Sequence, residues 1–249
     1  NRNMLFVGIG AVVVAAGFAY WLFVLRSPAP EIVIETPTPT PTATPTPDLD
    51  SILVGLESNT ICTGGCTLAD FVSSISTGTG TINGGQFKKI YLSENDTSGN
   101  MAQVLGGLNT PYPAQLKDLL GIDSFLLMYG QKEIFDSKGL IKTDAIVEKR
   151  IVFISEIKDV LGVSQLGKDW EATLSSDLKT LFGLGVANKN QPGFLGNFYR
   201  GANIRYRNFP YADKTIDYAI VSALNGKTYL VVTDSREAIF AAIDKLVSF

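Results

Sequence analysis

The side chains best suited to recognition lie between positions 199 and 211. Tyr199, Arg200, Arg205, Arg207 and Tyr211 form the one local basic–aromatic cluster of the sequence. Arg and Tyr bring several donors and a large contact area at modest entropic cost. The cluster therefore reads as a patch for an anionic partner: a polymer, a lipid head group or nucleic acid. On a strand, Arg205 and Arg207 share one face and Tyr206 takes the other. The favoured reading is the plainer one, an alternating strand with a solvated basic face balanced by cross-strand acids such as Asp213 and Asp217.

Cys62 and Cys66 flank Thr63-Gly64-Gly65. The glycines let the chain fold back, so a tight structural disulfide is geometrically open to this pair. Free thiols are the other reading, and a redox pair would more often be Cys-x-x-Cys. Ser155/Lys158 and Ser176/Lys179 match Ser-x-x-Lys, but the companion motifs of penicillin-binding serine enzymes are absent, and Ser155 sits in an expected strand. Gly78 to Gly85 is glycine-rich but follows a helix and leads into a strand, the reverse of a phosphate loop. Asp48-Leu49-Asp50 lacks the glycine and distant Glu of a calcium loop and reads as linker. The 249 residues include no His, which removes His-based acid–base chemistry, His-dependent triads and His-containing metal sites. Two Cys cannot supply a four-cysteine cluster. A net charge of −3 argues against a dedicated nucleic-acid binder. No cofactor is expected, and no enzyme constellation is supported.

The elements that must position these residues read as α+β. Thr215–Leu224 and Lys227–Thr233 are strands joined at Asn225-Gly226, a hairpin signal. Asp234 reads as the N-cap of a final helix with Glu237 at N3, carrying Ile239, Phe240, Ile243, Leu246 and Val247 at helical spacing. Segments 87–92, 124–129, 151–157 and 198–209 read as strands. Segments 67–75, 114–120 and 168–182 read as helices, the last with Trp170, Leu174, Leu178, Leu181 and Phe182 on one face. With no regular βαβ repeat, a mixed, mainly antiparallel sheet with packed helices is expected.

Ahead of this domain, Met4–Leu25 runs 22 residues without a charge. As a helix it would extend about 33 Å, enough for a hydrocarbon core of roughly 30 Å. Thr36–Pro47 holds five prolines in 12 residues, which favours an extended polyproline spacer. The expected organisation is a transmembrane anchor over 1–26, a Pro/Thr-rich linker over 27–50 and an extracytoplasmic domain over 51–249. Residues 27–87 contain six acids and no Lys or Arg. Segments retained in the cytoplasm beside a span are rich in Lys and Arg, so the N-terminus is expected inside and the domain outside. Asn95-Asp96-Thr97 matches the N-glycosylation pattern. The chain does not begin with Met, which reads as a fragment or a processed product.

Three stretches carry a resemblance: Ile204-Arg205-Tyr206-Arg207-Asn208-Phe209-Pro210 through Thr215–Ile220, Val232–Glu237, and Asp169-Trp170-Glu171 with the helix ending at Leu181-Phe182. Here the chain resembles uncharacterised single-pass, membrane-anchored extracytoplasmic proteins of candidate-phyla bacteria. The resemblance covers about the last 80 residues and the general layout, and it implies no activity. The resulting expectation is an anchored interaction or structural module of the cell envelope, its partner an envelope protein or polymer. Two alternatives stand beside it: a His-independent cell-wall hydrolase using paired carboxylates, and a pilin-like surface subunit. Pro28 and Pro30 would stop the long helix that a pilin needs.

Overall fold

The computed structural model describes residues 49–61, 66–78, 80–92, 99–144 and 146–248. The expected span, the Pro/Thr stretch, Cys62 and Asn95–Thr97 lie outside these residues. Among the described residues no helix is long and apolar enough to cross a membrane.

The described chain folds around one sheet of eight strands: β1 (Ser58–Thr60), β2 (Phe87–Tyr91), β3 (Leu120–Gln131), β4 (Glu148–Ile157), β5 (Leu195–Tyr199), β6 (Ala202–Asn208), β7 (Thr215–Ser222) and β8 (Thr228–Thr233). Their spatial order is β1-β2-β3-β4-β8-β7-β6-β5. Only the β1–β2 pair is parallel; every other pairing is antiparallel. The fold is therefore α+β with a mixed, mainly antiparallel sheet.

Helices cover both faces, which is why the central strands are apolar on both sides. One face carries α2 (Leu68–Ser73), α3 (Met101–Gly107), α4 (Leu116–Leu119), α5 (Val160–Trp170) and α6 (Leu174–Asp177). Their core joins Phe71, Leu105, Leu120, Phe153, Leu178 and Trp170. The second face carries α1 (Leu49–Ile52) and α7 (Arg236–Val247), with Leu49, Phe125, Ile154, Tyr229, Ile239 and Ile243 in its core. The folded unit thus takes in Leu49 and Asp50, which the sequence assigns to the linker. Leu49 is fully buried, and Asp50 pairs with Lys89 at 2.5 Å.

Local chemistry explains the boundaries. Thr67 opens α2 in a reciprocal capping box with Asp70, as its spacing predicts. Burial of Trp170, Leu174, Leu178, Leu181 and Phe182 matches the expected apolar face, but the helix is not continuous over 168–182. Asp159 caps α5 at Val160, and α5 ends at Trp170. Trp170 Nε1 and Thr173 Oγ1 both donate to Asp177, folding the chain into a separate turn. The expected strand over 198–209 is a hairpin, β5–β6, because Arg200 (φ 45) and Gly201 (φ 84) form a two-residue turn with positive φ. At the β7–β8 hairpin only Gly226 takes positive φ; Asn225 instead bonds Tyr229 Oη and the Lys227 N–H. The cap of α7 is Ser235, which accepts from Ala238 N, one position beyond the expected Asp234.

Candidate functional site

β5 is an edge strand with four of its five residues exposed. The two-residue turn fixes its hydrogen-bond phase. Tyr199 and Ala202 close the hairpin, so Asn197 and Leu195 bond toward β6, while the main-chain groups of Gly196 and Phe198 point away from the sheet. Asn197 Oδ1 accepts from the Phe198 N–H at 2.8 Å. β5 contains no charge and no proline, the features that usually blunt such an edge.

Beside this edge an open groove of about 850 Å³ runs between β5–β7 and α5. Leu161 of α5, 82% exposed, and Phe198 of β5, 66% exposed, stand on its two sides. Ser164, Lys168, Asn197, Asn203, Arg205 and Tyr218 supply the polar part of its lining. Among the described residues no carboxylate forms an ion pair with Lys168.

The floor is held by Glu171. Its Oε1 accepts from Arg205 Nε at 2.7 Å and from Tyr218 Oη at 2.6 Å, and its Oε2 accepts from Arg205 Nη2 at 2.7 Å. Such two-pronged pairing fixes the guanidinium plane. Arg205 Nη2 also donates to the Phe194 carbonyl, while Nη1 lies over Gly196, 3.9 Å from where a Cβ would stand. Burial alone would raise the Glu171 carboxyl, but the bonds from Arg205 and Tyr218 hold it below the usual carboxylate range. The hydrogen bond to Glu171 raises Arg205, and burial raises Tyr218.

Of the five side chains of the basic–aromatic cluster, only Arg205 lines the groove. Arg207 shares its strand face but lies farther along. Its Nη1 donates to Ser175 Oγ at 3.3 Å, its guanidinium carbon is 5.8 Å from the Phe209 ring, and its Nε is buried with no partner. Tyr199 is on the opposite face, stacked on Phe240 and donating to Asp244, which also pairs with Arg200. Tyr211 packs near Phe135 and donates to the Ser137 carbonyl. The acid that answers Arg205 is Glu171 rather than a cross-strand residue. Asp213 accepts from the Phe135 N–H, and buried Asp217 accepts from Thr215 Oγ1. Leu161, Glu171 and Tyr218 escape the sequence reading; Asp159 placed ahead of an apolar turn is the signal that could have exposed α5.

The remaining motifs fall into structural roles. Cys66 is disulfide-bonded, and the chain's other cysteine, Cys62, lies outside the described residues. Ser155 Oγ accepts from the Met101 N–H inside the core, and Ser176 Oγ donates to the Thr173 carbonyl. Two carboxyls, Asp217 and Asp234, lie close beneath the start of α7, but they are only 2% and 4% exposed. Asp234 accepts from the Ile151 N–H at 2.8 Å and faces Arg150 at 3.9 Å. Among the described residues no cluster of three or more Cys, Asp or Glu is arranged to hold a metal.

Comparison with protein-family models, with curated proteins and with solved structures returned no match.

Proposed function

We propose that this chain is a membrane-anchored, extracytoplasmic interaction module of the cell envelope. In this reading 1–26 anchors the chain with its N-terminus in the cytoplasm, the Pro/Thr-rich stretch is a spacer, and the α+β domain binds a partner. The resemblance of the 204–210 and 232–237 segments to single-pass envelope proteins of candidate-phyla bacteria supports this layout. So does the lack of Lys and Arg over 27–87.

The observation that carries the binding role is the groove along β5. Its exposed apolar walls, Leu161 and Phe198, adjoin Lys168, while Arg205 beside them is held by Glu171. The outward main-chain groups of Gly196 and the Phe198 carbonyl offer pairing to a further strand, while Asn197 Oδ1 occupies the Phe198 N–H. A fitting occupant is an extended polypeptide segment of an envelope partner, with apolar and acidic side chains. Its backbone would add to β5 and an acid would face Lys168. Strand addition uses main-chain bonds for affinity and side-chain pockets for selectivity.

The test is the double substitution Leu161→Asp with Phe198→Asp in the full-length chain, followed by co-purification from native membranes. The partner should be lost while the melting temperature is retained, because both side chains are exposed. Undiminished recovery of the same partner would contradict the proposal.

A further inference from the structure

A second concavity, distinct from the groove, lies at the other end of the same sheet face. It has a volume of about 350 Å³ and is walled by Val72, Ile75, Ile151, Leu181 and Phe182. That size lies near the lower end of the roughly 300–1,000 Å³ typical of small-molecule sites. It is an open depression with room for one compact ligand. Lys149 of β4 lines it from the same strand face as Ile151, and its Nζ donates to the Ser76 carbonyl at 3.3 Å.

The charges around this cavity are unevenly satisfied. Arg150 is buried and occupied: Nη2 pairs with Glu148 at 2.5 Å, Nε donates to Gln131 at 2.9 Å, and Nη1 faces Asp234. Glu148 is thereby engaged as well. Lys88, whose charge is felt at Lys149, pairs with Glu57 at 2.7 Å. Lys149 has no carboxylate partner among the described residues. Burial, helped by the Lys88 charge, holds its ammonium below the usual lysine range. A partly desolvated cation attracts an anion more strongly than a fully hydrated one does.

We propose that this cavity binds a small amphipathic carboxylate, with its anion on Lys149 and its hydrocarbon between Ile75, Ile151, Leu181 and Phe182. A single ammonium with no carboxylate partner among the described residues matches a monoanion. A phosphate would call on further cations, and Arg150 and Lys88 are already spoken for.

Hexanoate, hexanol and hexylamine are the probes, titrated by saturation-transfer NMR against the full-length chain in lipid nanodiscs, with empty nanodiscs subtracted. Hexanoate should bind about tenfold or more tightly than hexanol, and Lys149→Gln should weaken hexanoate about tenfold or more. Lys149→Arg, which keeps the charge, should retain most of the affinity. Hexanoate should also slow reductive methylation of Lys149 relative to Lys138, an exposed lysine elsewhere. Absence of saturable hexanoate binding, equal binding of hexanol, or unchanged affinity in Lys149→Gln would each overturn the assignment.

Discussion

Asp217 and Asp234 are the residues whose surroundings most alter their chemistry. Burial is the main cause in both, pushing Asp217 up to about 7 and Asp234 up to about 6 from an ordinary value of 3.8. Thr215 and the Arg236 charge oppose the rise at Asp217, while Asp234 adds to it. Both carboxyls hold a proton more tightly folded than unfolded. Their contribution is therefore complete below the unfolded value and is lost as pH rises through 6 to 7. Glu171 works in the opposite sense, but only as pH falls through its depressed folded value, so neutral pH isolates the aspartates. The melting temperature should be higher at a pH of about 5 than at about 8, and Asp217→Asn should flatten that slope. A slope of the opposite sign, or one untouched by the substitution, would count against this assignment. At the groove floor, Glu171→Gln removes the charge that Arg205 and Tyr218 share. The expected loss is about 1–2 kcal/mol, reduced by the partial exposure of Arg205, and denaturant unfolding would measure it.

At the level of elements, the inner strands depend on close backbone approach. Gly130 of β3 bonds Gln86 and Gly85 through its main chain, and a Cβ there would run into the Asn83 carbonyl. Gly130→Ala should destabilise the domain by about 1–3 kcal/mol, because backbone rather than a movable side chain must give way. A neutral result in thermal unfolding would show that the 83–86 turn shifts without cost. This contact joins residues far apart in sequence, and no local pattern announces it. What could be read was local: the helix starting near Thr67, the apolar run of β4, the hairpin at Gly226 and the amphipathic last helix. The 199–211 cluster was legible as composition but not as a site. The turn at Arg200-Gly201 sends Tyr199 to one face and Arg205 to the other. The expected 168–182 helix likewise ends at Trp170, because the bonds from Trp170 and Thr173 to Asp177 fold the chain into a turn despite the continuous apolar spacing.

For the whole molecule, the account joins an anchor, a spacer and a binding domain. Protease added to the outside of intact cells with a permeable outer layer should release the domain beyond the Pro/Thr-rich stretch. Full protection would reverse the proposed topology. The β5 groove is the feature on which the proposed role turns, with its uncharged edge, exposed Leu161 and Phe198, and adjoining Lys168 and Arg205. Its most direct test is site-specific photocrosslinking in native membranes, with p-benzoylphenylalanine replacing Phe198 in one version of the full chain and exposed Lys138 in another. The account predicts one discrete crosslinked partner from position 198, weakened by salt, and none from position 138. No product from 198, or the same products from both positions, would contradict it.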